Sequence, residues 1–176
     1  MRRHIPGPRW LRLLRGRLVW VVVLAVAVPA LLDLVIGVLH PLRDGNQTCR
    51  IVQVVDGDTV RLWCNGTDTE RARLTGFDAP ELFSPKCTAE VVAAQQAKWA
   101  LRLMLLWAAE LQMQRRGTDR YGRSLVALSD GPVLLAARMI AAGNGRAYDG
   151  GRRGGWCTGE QDAAAQDRQV ISGSAA

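Results

Sequence analysis

The residues best placed to do chemistry lie in RLTGFDAPEL, residues 73–82. This strand-like run ends with Asp78 and Glu81, and Pro80 between them restricts Ala79 to an extended conformation. An extended Ala79 can turn its carbonyl oxygen toward a cation bound by Asp78, which leaves Glu81 free to hold a water molecule. Two carboxylates at a strand exit also suit a solvated loop, so the segment alone leaves both interpretations open.

The chain after residue 40 contains no histidine, because the only two are His4 and His40. Mechanisms that need an imidazole base, an imidazole metal ligand or a serine–histidine pair are therefore excluded there. Carboxylate and carbonyl oxygens select a hard cation such as Ca²⁺ or Mg²⁺ over zinc or copper. Asp58 in VVDGDTVRL is a further candidate ligand, although DGD alone fits an ordinary turn.

Two arginines would complete a phosphate site if the fold brings them together. Arg73 lies five residues before Asp78, and Arg123 closes the DRYGR segment before the next predicted strand. A guanidinium group presents a planar pair of donors that matches the oxygens of a phosphate. Each arginine taken singly also fits an ordinary surface charge.

The chain that positions these residues begins with a long apolar segment. Residues 18–39 contain Asp33 as the only charge and are long enough to cross a hydrocarbon core of ~30 Å as a helix. Six arginines and no acid precede it, so the positive-inside rule predicts that residues 1–17 are cytoplasmic and that the rest is exported. We therefore expect a transmembrane signal anchor at 18–40, with the domain that follows it in the periplasm or outside the cell. An Ala-Val-Ala sequence at 25–27 also fits a signal-peptide cleavage site, and cleavage there would give a secreted protein.

The charge of the chain follows the same division. Of the net charge of +7, residues 1–40 contribute +5, from six Arg and one Asp, whereas the remainder contributes +2, from 17 basic and 15 acidic residues. Most of the positive charge therefore relates to the orientation of the apolar segment in a membrane, not to a binding partner. Any argument about a substrate must come from the positions of particular arginines.

All four cysteines follow the apolar segment, and no two of them form a CxxC pair. An even number of cysteines in an exported domain favours two disulfide bonds. CRIVQVVDGDTVRLWC predicts a β-hairpin with Asp56 and Gly57 as the turn, in which Val55 faces Asp58 and the first cysteine faces the second. The predicted bonds are Cys49–Cys64 and, by elimination, Cys87–Cys157.

The remaining pattern adds further strands and helices. We expect strands at about 70–77, 111–114 and 124–129, and helices at 88–109 and 132–142 that are capped by Thr88 and Asp130. Residues 41–48 are expected to form a polar linker, and 158–176 a peripheral tail. This order predicts an α+β fold, a small closed antiparallel barrel that carries helices.

Three motifs occur in order along the chain: VVDGDTVRL at 54–62, RLTGFDAPEL at 73–82 and DRYGRSLVAL at 119–128, with GNGRAY following at 143–148. In this order they resemble the staphylococcal-nuclease-like, or thermonuclease, family. The resemblance covers roughly residues 49–157 and implies an OB-type five-stranded β-barrel with packed α-helices. It also implies a Ca²⁺-dependent endonuclease whose substrate is nucleic acid, either DNA or RNA or both, and we expect a monomer.

The resemblance assigns roles to particular residues by position. Glu81 would hold or deprotonate the attacking water, while Arg73 and Arg123 would bind the phosphate and stabilise its transition state. A non-catalytic module of the same fold, which binds nucleic acid or a protein, is the alternative. The matched positions are Asp58, Asp78 and Ala79 for the metal, Arg73, Glu81 and Arg123 for catalysis, and Arg120, Tyr121 and Tyr148 for the nucleotide.

Overall fold

The computed structural model describes residues 9–45, 47–66 and 69–157, with side chains from residue 17 onward. The expected tail at 158–176 and the first eight residues of the expected cytoplasmic segment lie outside the described residues. The helices of the described chain are α1 Arg9–Leu39, α2 Thr88–Leu106 and α3 Leu135–Ala141. Its strands are β1 Leu42–Asp44, β2 Gln47–Asp56, β3 Thr59–Cys64, β4 Thr69–Leu74, β5 Gly76–Asp78, β6 Leu111–Thr118, β7 Ser124–Asp130, β8 Val133–Leu134 and β9 Arg146–Tyr148.

Most of these strands form one curled sheet in the order β1-β2-β3-β4-β7-β6, with β8 paired to β7. Neighbouring strands are antiparallel, except that β4 and β7 are parallel. Helix α2 contributes Ala97, Leu101 and Leu105 to a core that it shares with the sheet. The expected α+β, OB-type fold is confirmed as a curled half-barrel with helices. In the described residues β1 and β6 are the two edges of the sheet and the β4–β7 pair is parallel, so the expected closed antiparallel barrel and the strand number of five are not exact.

Helix α1 is long and apolar enough, over Arg17–Leu39, to cross a membrane by length and composition. Its final turns nevertheless pack on the sheet. Asp33 and Ile36 are buried, and a Cβ atom on Gly37 would lie 2.5 Å from the carbonyl oxygen of Ile51 in β2. The end of the apolar helix is therefore part of the folded domain.

The polar segment 41–48, expected to be a linker, contributes to the sheet. Leu42–Asp44 form β1 at its edge, and the segment from residue 47 onward begins β2. Leu42 is fully buried in the core. The chain therefore passes from helix to sheet with little freedom between them.

The β2–β3 hairpin turns one residue later than the sequence predicts. Gly57 and Asp58 form the turn, so the expected pairing of Val55 with Asp58 is wrong. Two register shifts within β2 then restore the predicted alignment further out, where Cys49 lies opposite Cys64. Asp58 consequently sits in the turn itself, at the tip of the hairpin.

The expected third strand at 70–77 is two separate strands. Strand β4 ends at Leu74, and Gly76 has a φ angle of +93°, a conformation that glycine adopts without steric cost. The chain leaves the main sheet there, and β5 pairs antiparallel with β9. This break carries Asp78 away from the sheet to a position opposite Arg146.

The start of α3 also differs from the prediction. Val133–Leu134 form β8 against β7, so α3 begins at Leu135 and not at residue 132. Asp130 does not cap α3, because its carboxylate accepts hydrogen bonds from the backbone N–H groups of Ala109 and Glu110, both at 2.9 Å. Asp130 instead fixes the chain between α2 and β6.

Both disulfide bonds are those that the hairpin register selects. Cys49–Cys64 joins β2 to β3, and Cys87–Cys157 joins the start of α2 to the end of the described chain. Cys87, not Thr88, is the N-cap residue of α2, which ends at residue 106. The second bond holds the segment after β9 close to α2.

Candidate active site

A close contact at a glycine brings the β2–β3 turn against the segment after β5. A Cβ atom on Gly57 would lie 2.8 Å from the Cβ of Ala79 and 2.8 Å from the Cβ of Ala97 in α2. A larger residue at position 57 would therefore push the turn away. Ala79, the expected carbonyl ligand, is buried at this contact, which brings Asp58 toward Asp78.

Arg73 joins the two aspartates. Its Nη2 lies 2.6 Å from Asp58 Oδ2 and 3.0 Å from Asp78 Oδ1, and each of the three side chains is only 8% exposed. Burial raises the pKa of Asp58, and the guanidinium of Arg73 opposes that rise. Two buried carboxylates thus share one cation.

The groups around this pair offer oxygen ligands. Within the described residues no group of three or more His, Cys, Asp or Glu side chains could hold a metal ion. Asp58 and Asp78 would supply two carboxylates, and a cation held by them would need its remaining oxygen ligands from backbone carbonyl groups or water. Ca²⁺ accepts such mixed oxygen coordination in a flexible geometry, so the residues present fit a hard cation of this kind.

Glu81 begins a loop that is held by two acids to which the sequence analysis assigns no role in the site. The carboxylate of Glu90 accepts hydrogen bonds from the backbone N–H groups of Glu81 at 3.2 Å and Lys86 at 2.7 Å. Asp56 accepts one from Leu82 at 3.5 Å, and burial raises the pKa of Asp56 to about 6. The position of Glu90 in the first turn of α2 is the signal that could have indicated its role.

Asp119 fixes Arg123 in the loop between β6 and β7. Its Oδ2 accepts a hydrogen bond from Arg123 Nε at 2.7 Å, and its Oδ1 accepts the backbone N–H groups of Tyr121 and Arg123 at 2.9 Å each. The guanidinium groups of Arg120 and Arg123 lie 4.9 and 5.6 Å from the centroid of the Tyr121 ring. The four-residue spacing of the acid and the base in DRYGR could have indicated this ion pair.

These residues line an open cleft of about 870 Å³. Six of the nine predicted site residues meet there: Arg73, Glu81, Arg120, Tyr121, Arg123 and Tyr148. The other lining residues are Arg71, Asp119, Leu125, Gly150, Gly151 and Arg153. Five arginines against two acids favour an anionic ligand. Asp58, Asp78 and Ala79 are buried and do not line the cleft; Asp58 and Asp78 bind Arg73, which does.

Tyr148 and Arg153 bound the cleft on the side of the C-terminal segment. The guanidinium of Arg73 lies 5.9 Å from the centroid of the Tyr148 ring, and that of Arg153 lies 5.6 Å from it. Arg153 also places Nε 3.1 Å from Asp78 Oδ1. Its surrounding sequence, GGRRGGWC, contains no pattern that indicates such a contact.

Sequence comparison finds similar proteins whose names agree with the resemblance drawn from the three motifs. The chain is 26% identical over 132 residues to a thermonuclease of Staphylococcus intermedius, an alignment that covers 72% of this chain and 78% of the relative. It is 29% identical over 115 residues to an uncharacterised endonuclease of Haemophilus influenzae, covering 65% of this chain and 60% of that protein. It is 26% identical over 101 residues to a thermonuclease of Staphylococcus hyicus, covering 57% and 59%. No family model matches the chain. The similarity inferred from the ordered motifs is confirmed, and in the last two relatives it extends over less than two thirds of their length.

Proposed function

We propose that this relative of the thermonucleases is a Ca²⁺-dependent endonuclease that hydrolyses phosphodiester bonds of DNA, RNA or both. The observation that carries the proposal is the meeting of buried Asp58 and Asp78 at Arg73, in the wall of an arginine-lined cleft. Glu81 lines the same cleft. The similarity to thermonucleases and to an endonuclease supports a nuclease hydrolase at the level of the family.

In the proposed reaction, Arg73 and Arg123 bind the oxygens of the scissile phosphate. Negative charge on these oxygens grows as a fifth oxygen approaches phosphorus, and one such donor typically stabilises the transition state by ~3 kcal/mol. Glu81 positions the attacking water and accepts its proton on a carboxylate oxygen. As the water oxygen bonds to phosphorus, the opposite phosphorus–oxygen bond of the diester breaks, and the leaving oxygen takes up a proton from solvent. Arg120 and Tyr121 hold the adjoining nucleotide by charge and by stacking.

The proposed cofactor is Ca²⁺, which Asp58, Asp78 and the carbonyl of Ala79 would hold. When bound there, the ion supplies Lewis-acid polarisation of a phosphate oxygen. Mg²⁺ is the less suitable ion because it demands near-ideal octahedral geometry, whereas two carboxylates with carbonyl and water ligands suit the more flexible coordination of Ca²⁺.

We also propose that the reaction takes place outside the cytoplasm. Helix α1 exposes apolar side chains along most of its length before Asp33, and two disulfide bonds are compatible with an oxidising compartment. An uncleaved α1 would anchor a monomeric catalytic domain to the outer face of the membrane. Cleavage at 25–27 would release it.

The proposal is tested by incubating the full chain, in detergent micelles, with supercoiled plasmid DNA or single-stranded RNA. We expect cleavage with Ca²⁺ and none with excess chelator. Glu81→Gln should lower kcat by about 10²- to 10³-fold, because it removes the proton acceptor. The matched control, Glu110→Gln, removes an exposed carboxylate on another part of the surface and should cut like the parent.

Cleavage by Glu81→Gln at the rate of the parent chain would show that the mechanism is wrong. Tight binding of nucleic acid without cleavage, whether or not Ca²⁺ is present, would instead support the non-catalytic binding module.

A further inference from the structure

Residues 149–157, here called the C-terminal strap, follow β9 and run beside the mouth of the cleft. Arg146 of β9 donates a hydrogen bond from Nη1 to a carbonyl oxygen of the strap at 2.7 Å, and its guanidinium lies 3.9 Å from the centroid of the Trp156 ring. The strap ends at the Cys87–Cys157 disulfide bond. Its path is thus fixed at both ends, by β9 and by α2.

Arg153 is the strap residue that reaches the candidate site. Its Nε lies 3.1 Å from Asp78 Oδ1, the same oxygen that Arg73 Nη2 approaches at 3.0 Å. Its guanidinium also lies 5.6 Å from the centroid of the Tyr148 ring. The Arg153 side chain is 41% exposed, so it binds a buried carboxylate while remaining open to the cleft.

The charges in this cluster are balanced. Asp58 and Asp78 contribute two carboxylates, and Arg73 and Arg153 contribute two guanidinium groups. A divalent cation bound there would by itself balance the two carboxylates, so neither arginine would be needed as their counterion. Arg73 is buried in β4, whereas Arg153 stands on an exposed segment with two glycines close by on each side, so Arg153 is the arginine free to leave.

We propose that Arg153 is an exchangeable cation: it binds Asp78 in the absence of a metal ion and binds a phosphate group of the nucleic acid when a divalent ion occupies the site. This inference rests on the proposed function and adds to it a phosphate-binding subsite supplied by the strap. Metal and nucleic acid each favour the release of Arg153 from Asp78. By linkage, each therefore raises the affinity for the other.

The first arm of the test is a calorimetric titration of the full chain, in detergent micelles, with Ca²⁺ and without nucleic acid. Arg153→Gln removes the competing cation, so it should tighten Ca²⁺ binding about threefold to tenfold. The matched control is Arg152→Gln, which removes the neighbouring exposed arginine and should leave the affinity unchanged. An Arg153→Gln chain that binds Ca²⁺ no better than the Arg152→Gln chain would overturn the inference.

The second arm measures the binding of a fluorescent single-stranded oligonucleotide with Ca²⁺ in the Glu81→Gln background, in which the nucleic acid survives. Adding Arg153→Gln should weaken binding about fivefold and reduce the slope of log affinity against log salt by about 1, as loss of one phosphate contact does. Arg152→Gln should have the smaller effect on both quantities. Equal effects of the two substitutions would contradict the subsite.

A variant that keeps Arg153 but frees the strap provides an independent check. The Cys87→Ala, Cys157→Ala double variant should tighten Ca²⁺ binding and weaken oligonucleotide binding, as Arg153→Gln does. Parent-like values in both arms would overturn the role of the strap.

The outcomes separate the inference from the proposed function. If the parent cuts, Glu81→Gln does not, and Arg153→Gln matches Arg152→Gln, the inference fails while the proposed function stands. If the parent does not cut, the proposed function fails, and the Ca²⁺ titration alone decides the inference.

Discussion

Asp119 holds Arg123 at the edge of the cleft through both of its carboxylate oxygens: Oδ2 accepts a hydrogen bond from the guanidinium Nε, and Oδ1 accepts one from the backbone N–H. Asp119→Asn keeps the size of the side chain but removes the charge that fixes Arg123. We expect kcat/KM for plasmid cleavage to fall about tenfold, because a phosphate ligand that is misplaced by a small distance loses much of its effect. Arg123→Gln removes the ligand itself and should cost more.

The two substitutions combined distinguish positioning from loop stability. If Asp119 acts only through Arg123, then Asp119→Asn should have little further effect on kcat/KM in the Arg123→Gln background. Equal losses with and without Arg123 would show that Asp119 maintains the loop as a whole.

Sequence reasoning identifies residues that share one local motif more readily than residues that meet through the fold. Arg73, Asp78 and Glu81 can be singled out because they lie close together around one strand exit. The contact between Arg153 and Asp78 could not be predicted, since it depends on the pairing of β9 with β5 and on a disulfide bond at the end of the strap. The local sequence GGRRGGWC contains no pattern that indicates the strand pairing or the disulfide partner.

At the scale of elements, an ion pair fastens the end of α1 to α2. Asp33 accepts hydrogen bonds from Arg102 Nε at 2.7 Å and Nη2 at 3.1 Å, and also from the backbone N–H of Val54 at 3.2 Å. Asp33 lies within the predicted membrane span, where an acidic side chain raises the free energy of insertion. The structure instead buries it against the folded domain, where Arg102 and the backbone N–H of Val54 bind its carboxylate.

Asp33→Asn should lower the free energy of unfolding of the domain by about 3 kcal/mol, because it leaves the charge of Arg102 buried without its counterion. Replacing both partners by apolar residues, Asp33→Leu with Arg102→Met, should restore much of the loss. Urea unfolding of the full chain in micelles, followed by tryptophan fluorescence, measures both, with the exposed Arg116→Gln as the control. A loss well below 1 kcal/mol would contradict the structural role of this pair.

The errors in the predicted elements have a common physical cause. The hairpin register at the cysteines is correct because two irregularities in β2 compensate for a turn that lies one residue further on. Alternation of apolar and polar residues does not reveal such irregularities. Likewise Val133 and Leu134 fit a helix by composition, and only their pairing with β7 makes them a strand.

For the whole molecule, the docking of α1 determines where the proposed anchor leaves the domain. Residues 18–32 would span only about 22 Å as a helix, which is short of a ~30 Å hydrocarbon core. The following turns would therefore also have to meet lipid on their outer side, where Leu34 and Val38 are exposed. Leu34, Val38 and Trp63 line one apolar groove between α1 and the sheet. Tryptophan is enriched where a protein meets the surface of a membrane. An anchored domain would thus lie directly against the membrane surface.

A charged cluster around Arg115 of β6 joins the two edges of the half-barrel. Arg115 binds Asp44 of β1 and Glu70 of β4, and it donates to Ser124 of β7 at 2.8 Å. Glu70 also accepts the hydroxyl of Ser124 at 2.6 Å. Four strands therefore meet at this cluster, including the two edges of the sheet.

This cluster should make the stability of the whole fold depend on pH. The hydrogen bond from Arg115 holds the pKa of Glu70 below its ordinary value of 4.5. A carboxyl with a lowered folded pKa stabilises the fold above its unfolded pKa and loses that contribution as the pH falls through the folded pKa. We expect Glu70→Gln to be less stable than the parent at about pH 7, and the difference to shrink as the pH falls below 4.5, the ordinary pKa of a glutamate. Urea midpoints at these pH values measure it, and the exposed Glu110→Gln should match the parent throughout. A deficit of Glu70→Gln that persists at low pH would show that the geometry of the hydrogen bonds, not the charge of Glu70, joins the edges of the sheet.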